Sequence, residues 1–174
     1  MAEAVVAGPP RRSSMAPAAF ARIVALLLPL ALLGGAMGSQ YLGGLHPCEM
    51  CYWQRWPHAA AILLAAIAFM APVESSRSRT LVTLAALAIA ISGAIGVYHA
   101  GVEAKIFEGF TTCTANPSGA TTSELLKQIT HAPVIRCDQV QFRFLSISMA
   151  GWNAILSLGG AALILLLTLK PRRA

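Results

Sequence analysis

At 174 residues the chain is one domain by length, but 56% hydrophobic and 11% charged residues, with a positive mean hydropathy, exclude an ordinary soluble domain. Thirteen Lys and Arg against seven Asp and Glu give a net charge of +6. The basic residues lie at the ends of apolar runs and no basic stripe is interleaved with aromatics, which argues against nucleic acid as a partner.

Residues 1–19, rich in Ala, Pro, Arg and Ser, are expected to form a disordered cytoplasmic tail. The first apolar run, 20–41, is long enough to cross a hydrocarbon core of about 30 Å at roughly 1.5 Å per residue. Its basic start, Leu-rich centre and small residues from Gly34 to Ser39 also fit a cleaved secretory signal. The Gly34-xxx-Gly38 spacing is equally natural for close helix packing. A short loop, 42–54, carries Cys48 and Cys51 and leads into a second span over about 55–71. Pro57 is tolerable there if it falls in the first helical turn.

A turn at 72–80 with Arg77 and Arg79 precedes a third span, about 81–100. The segment 101–144 is the only long polar connection, and it holds Cys113 and Cys137. Within it, residues 122–129 have the pattern of a short amphipathic helix lying on a bilayer. The fourth span, about 145–169, is followed by a basic cytoplasmic end with Lys170, Arg172 and Arg173. The expected architecture is therefore an all-α membrane protein, a four-helix transmembrane bundle over 20–170.

Eight of the thirteen Lys and Arg fall on the side that holds 1–22, 72–80 and 170–174. That denser side should be cytoplasmic, which puts both termini inside and all four cysteines on the outer, oxidising side.

Cys48-x-x-Cys51 is the spacing at which two thiols at a helix start can close a small disulfide ring, and a nearby cation or helix N-terminus makes one of them reactive. Arg55 lies one helical turn after Cys51 and so shares its face. A structural disulfide and half of a metal site compete with the redox reading. A zinc site would want two further ligands at matching spacing, which Cys113 and Cys137 do not provide, so no metal is expected. Cys113 and Cys137 fit either a stabilising loop disulfide or a second, exchangeable pair. Arg55 reads either as a snorkelling residue bound to headgroups or as a cation that fixes a carbonyl-bearing redox cofactor. His99 is either an interface histidine or a hydrogen-bond partner for a lipid-soluble ligand. Trp53, Trp56 and Trp152 are belt aromatics by default, and Asn153 an interhelical hydrogen-bond donor.

Pro47-Cys48-x-x-Cys51 followed by Gln54-Arg55, four spans, and a second cysteine pair in the last outer loop resemble the bacterial disulfide bond formation family DsbB. Tyr98-His99 through Glu103, Arg136-Cys137-Asp138, and Ser146 through Trp152-Asn153 resemble a short-loop branch of it. The resemblance implies a quinone-dependent protein thiol-disulfide oxidoreductase of the bacterial inner membrane, its active cysteines facing the periplasm. Its catalytic residues would be Cys48, Cys51, Cys113 and Cys137. A reduced DsbA-like periplasmic partner would attack a Cys113–Cys137 disulfide, and electrons would pass to Cys48–Cys51. A membrane quinone (ubiquinone or menaquinone) would then accept them beside Arg55, with His99 a second cofactor contact. The DsbA–DsbB–quinone route is the established example of how the periplasm is kept oxidising, so this role comes with the resemblance and not with the spacing. Two other readings remain: a metal-handling membrane protein, and a four-span protein whose disulfides only brace its outer loops. A fold of the vitamin K epoxide reductase type would also pair thiols with quinone, but the cysteines for its extra relay are lacking.

Overall fold

The computed structural model describes residues 15–109, 121–123 and 136–169. Four long helices dominate it: α1 (Met15–Tyr41), α2 (Glu49–Ala68), α3 (Ser76–Glu103) and α4 (Met149–Leu169). A two-stranded hairpin, β1 (Arg143–Phe144) and β2 (Ile147–Ser148), precedes α4. Three helices are long and apolar enough to cross a membrane: Pro17–Tyr41, Ser76–Glu103 and Met149–Leu169. The fourth, α2, has 20 residues but carries Glu49, Gln54, Arg55 and His58 in its first half.

The helices pack through small residues. Ala21, Ala25, Ala61, Ala65, Ala85, Ala86 and Ala161 surround Val82, Ile89 and Ile164 in one buried cluster. Small side chains let helix backbones approach, which is how helices pack where lipid supplies no hydrophobic drive. α3 and α4 come close enough that a Cβ added to Gly96 would lie 3.1 Å from the backbone of Ala150 and Ala154. Gly34 and Gly38 behave differently: a Cβ on either would meet nothing within 4 Å. Their spacing does not pack α1 against another helix among the described residues.

At the end where α2 and α4 finish, two arginines cap open carbonyls. Arg22 donates to Ala71 O at 3.1 Å and stacks 4.4 Å over Phe69, and Arg79 donates to Thr168 O at 3.1 Å. Cations at helix C-termini satisfy both the orphan carbonyls and the helix dipole. Cys48, Cys51 and Cys137 lie at the opposite end of the bundle, at the start of α2 and in the segment leading to the hairpin.

The helix bounds differ from those of the apolar runs. α2 starts at Glu49 and not at 55, so Pro57 sits inside it and leaves the Trp53 carbonyl without its helical donor. α3 continues to Glu103, and α4 begins at Met149 because residues 143–148 form the hairpin. Leu145 (φ 49°) and Ser146 (φ 64°) occupy the left-handed region at its turn, as a type I′ connection requires. Most of the expected helix at 122–129 lies outside the described residues.

Candidate functional site

Cys48 is the N-cap of α2 in an extended conformation (φ −75°, ψ 173°), with no side-chain cap bond of its own. Cys51 falls in the first turn, so both sulfurs gather at the helix start, 3.2 Å apart, with the Cys48 thiol donating to Cys51. Both precede the apolar part of α2 that begins at Arg55. That donated hydrogen bond lowers the Cys51 pKa from 9.0 to about 7, with the Arg55 charge assisting and burial opposing. Cys48 moves the other way, held as a thiol by the same bond and by burial. Of the two thiols, Cys51 is therefore the one that ionises first, while Cys48 keeps its proton.

The end of α3 and the segment before the hairpin close over the pair. Cys48, Met50, Val102 and Cys137 form a buried cluster, and the Cys137 side chain hydrogen-bonds Cys48. Asp138, next in the chain, is held by Lys105 Nζ (2.5 Å) and by Arg136 Nη2 (2.7 Å). These two cations keep its carboxyl down at about 2. The Lys105 pair fastens the Cys137 segment to the residues just after α3, and Gln141 Nε2, donating to His46 O, fastens it to the loop before α2.

Behind the thiols runs a buried polar cluster. His99 Nε2 is 3.5 Å from Cys48 Sγ and its Nδ1 is 2.8 Å from Gln54 Nε2. Asn153 Nδ2 donates to Gln54 Oε1 at 2.7 Å and to Ser92 O at 3.2 Å. His58 Nε2 lies 2.9 Å from both Asn153 Oδ1 and Ser92 Oγ, while its buried Nδ1 has no partner among the described residues. Three helices are joined here by side chains, as expected where polar groups must find partners inside an apolar bundle.

On the other side of Cys51, Arg55 reaches toward α1. Its Nη1 donates to Gln40 Oε1 at 2.5 Å, its Nη2 to Ala36 O at 3.2 Å, and its guanidinium stacks 5.1 Å over Tyr52. A cavity of about 600 Å³ opens between these elements. Cys51, Arg55, Gln54, His58 and His99 supply its polar wall, and Ala31, Leu32, Gly35 and Ala36 of α1 its apolar one. A mostly apolar pocket of this size with a few convergent polar groups suits a mainly apolar ligand with a few polar atoms. Among the described residues the buried Arg55 Nε and His58 Nδ1 have no partner, which leaves hydrogen-bonding capacity in residues of that wall.

Of the residues singled out by sequence, Cys48, Cys51, Arg55, His99 and Cys137 come together in one place, and Cys113 lies outside the described residues. Sequence reading gave no role to Gln54 itself or to His58, Ser92 and Glu103. A signal existed for two of them. The buried stripe of α2 is Met50, Gln54, His58, Ala61, Ala65 and Ala68, a 3.6-residue period that turns two polar side chains inward.

The model of the family "Disulfide bond formation protein DsbB" matches residues 18–167. A disulfide bond formation protein B of Polaromonas sp. is 30% identical over 142 residues, covering 76% of this chain and 80% of that protein. Another, of Xanthomonas oryzae pv. oryzae, is 27% identical over 151 residues, or 82% of this chain and 85% of that protein. An uncharacterized protein of Rickettsia prowazekii is 22% identical over 139 residues, 78% and 79% of the two chains. No solved structure matches the chain.

Proposed function

Since the chain belongs to the DsbB family of disulfide bond formation proteins, we propose that it is a membrane protein-thiol oxidase that takes electrons from a periplasmic DsbA-like protein and delivers them to quinone. The working unit is 20–170, with four spans, both termini in the cytoplasm, and the cysteines facing the periplasm of a bacterial inner membrane. The end of the bundle with Arg22 and Arg79 is then the cytoplasmic one. α2 is a spanning helix in spite of its polar residues, because Gln54 and His58 lie on its buried stripe and need not face lipid.

The reading is carried by one observation: Cys51, the thiolate of the pair, has Arg55 and the cavity on one side and, through Cys48, Cys137 on the other. The chemistry runs inward from the partner. A thiolate of reduced DsbA-like protein attacks a Cys113–Cys137 disulfide; its second thiol resolves the mixed disulfide, leaving the partner oxidised and both loop cysteines reduced. The Cys137 thiolate then attacks the Cys48 sulfur of the Cys48–Cys51 disulfide, and Cys51 leaves as a thiolate. Cys113 closes on Cys137, restoring that disulfide and freeing Cys48. Two electrons and two protons per cycle now reside on Cys48 and Cys51.

Quinone supplies a two-electron acceptor that dissolves in the membrane, and an acceptor of that kind is needed because DsbA, at about −120 mV, is too oxidising for a glutathione-poised pool to recharge. Arg55 would hold its carbonyl oxygen by a charged hydrogen bond, and His99, on the same cavity wall, is the second candidate contact.

The test is anaerobic mixing of purified protein, quinone and reduced DsbA-type protein, followed by quinone absorbance. Quinone reduction that needs all four cysteines is expected. No reduction, with both disulfides intact, would overturn the proposal.

A further inference from the structure

The polar cluster behind the thiols has a direction, set by two backbone carbonyls. A carbonyl oxygen can only accept. Gln54 Nε2 lies 3.2 Å from Met50 O, and Asn153 Nδ2 lies 3.2 Å from Ser92 O, so both positions must be amide N–H groups. Turning either amide over would set two oxygens against each other. With the amides fixed, Asn153 donates to Gln54 Oε1 and Gln54 donates to His99 Nδ1. That ring nitrogen must therefore be bare, and in a neutral imidazole the proton then sits on Nε2, facing Cys48 Sγ. The Cys137 backbone hydrogen-bonds the same ring, which also asks the imidazole to donate. The Cys137 backbone thus shares the Nε2–H with Cys48 Sγ, and Glu103 Oε1, at 3.9 Å, lies farther from Nε2 than Cys48 Sγ does. Cys48 in turn donates to Cys51. Every link from Asn153 to Cys51 points the same way.

We propose that Gln54 and Asn153 are positioning residues that hold His99 in its Nε2–H tautomer, so that the hydrogen-bond chain ends on Cys51 and keeps the negative charge of the reduced pair there, beside Arg55. The use of that charge against quinone rests on the oxidase reading; the tautomer does not. The same arrangement makes the reduced pair a poor metal trap. Cys48 Sγ, Cys51 Sγ and His99 Nε2 all lie within 4.8 Å of one another, near enough to share an ion. A ligating imidazole, however, turns a bare nitrogen to the metal and donates its far N–H to an acceptor. Here the far nitrogen meets an amide N–H, so the ring is set against ligation. A dithiol facing an outer compartment is thereby protected from thiophilic cations such as Zn²⁺.

The experiment uses full-length, reduced, ¹⁵N-histidine-labelled protein in lipid nanodiscs, without quinone or partner. The imidazole shifts of His99, assigned by their loss in His99→Gln, distinguish the two tautomers. Wild type should carry the proton on Nε2. Gln54→Glu, whose carboxylate only accepts, should move it to Nδ1; so should Asn153→Asp, which never touches His99 but forces the Gln54 amide over. A wild-type proton on Nδ1, or no change in Gln54→Glu, would overturn the proposal. Two further readouts follow from it. Co²⁺ added to the reduced protein should give its thiolate absorption at least about tenfold more tightly in Gln54→Glu than in wild type, the worth of one hydrogen bond at the ring. Alkylation of Cys51 at neutral pH should slow about tenfold in Gln54→Met, which removes the donor without adding charge. Equal Co²⁺ affinity, or an unchanged alkylation rate, would count against the chain. Should a variant fail to fold, the wild-type shifts still decide. Failure of quinone reduction would leave the tautomer standing, and a wrong tautomer would leave the oxidase reading standing.

Discussion

Replacing Arg55 by Ala separates the two things this side chain does. From α2 its guanidinium ties back to α1 through Gln40 and the Ala36 carbonyl, and it adds positive charge beside the Cys51 sulfur. In the oxidase reading it also gives a charged hydrogen bond to the carbonyl oxygen of the acceptor. A hydrogen bond from a charged donor is worth about 1.5–3 kcal/mol, so its loss should weaken apparent quinone affinity about 10- to 100-fold. The effect on the thiolate should be smaller, because Arg55 ranks behind the Cys48 hydrogen bond among the influences that lower Cys51. The partly exposed contacts to α1 should cost less than about 1 kcal/mol of stability. KM for quinone should therefore rise more than kcat falls, with the melting midpoint nearly unchanged. Arg55→Lys should fall between, since a lysine keeps the charge but lacks the planar fork that reaches Gln40 and Ala36 together. The assay is initial-rate quinone reduction by anaerobic protein supplied with excess small-molecule dithiol, across a quinone titration. An unchanged KM in Arg55→Ala, with the protein folded, would refute the placement of the acceptor beside Arg55.

Three further outcomes are expected. Cys113→Ser and Cys137→Ser should each abolish oxidation of a DsbA-like protein while leaving Cys48–Cys51 able to pass electrons from a small dithiol to quinone; retained partner oxidation in either would break the two-pair relay. Alkylation of Cys51 in the reduced protein should rise through an inflection near pH 7, because a depressed pKa keeps the thiolate above that value and loses it below; an inflection near the ordinary thiol value of 9.0 would refute the Cys48-to-Cys51 hydrogen bond. Gly96→Leu should destabilise the protein by about 1–3 kcal/mol through overpacking where α3 and α4 backbones meet, and so lower its melting midpoint, whereas Gly34→Ala, with nothing within 4 Å of its new Cβ, should not; equal midpoints would contradict the close α3–α4 contact.

Much of this was legible in the residues. The apolar runs located three helices to within a few positions, and the one-turn spacing of Cys51 and Arg55 gave the two a shared face, which the early start of α2 places on one helix. Hydropathy marked the apolar middle of each helix and not its ends, so Glu49 to Gln54 read as loop although they are the first turns of α2. The hairpin was missed because Leu145 and Ser146 are not residues that announce a left-handed turn. The Gly34-xxx-Gly38 pattern pointed to packing that the described residues do not provide, since small residues also line cavities, as Gly35 does here. Contact between Cys48 and His99, 51 positions apart, depends on how α2 and α3 are rotated about their axes, and no local pattern encodes that rotation.

The buried stripe of α2 ties these failures to the chemistry. Met50, Gln54 and His58 face inward over its first half and Ala61, Ala65 and Ala68 over its second. The alanine half sits in the apolar cluster that brings α1, α3 and α4 close. The polar half would be costly in an apolar bundle without partners, and Ser92, His99, Asn153 and Ser157 of α3 and α4 supply them to Gln54 and to His58 Nε2. A helix made only to span lipid would gain from Leu at 54 and 58. Keeping Gln and His there, with a matching residue at each facing position, fixes the rotation of α2 and hence the direction in which Cys48 and Cys51 point. The polar residues that lower the hydropathy of α2 are the ones that aim its thiols.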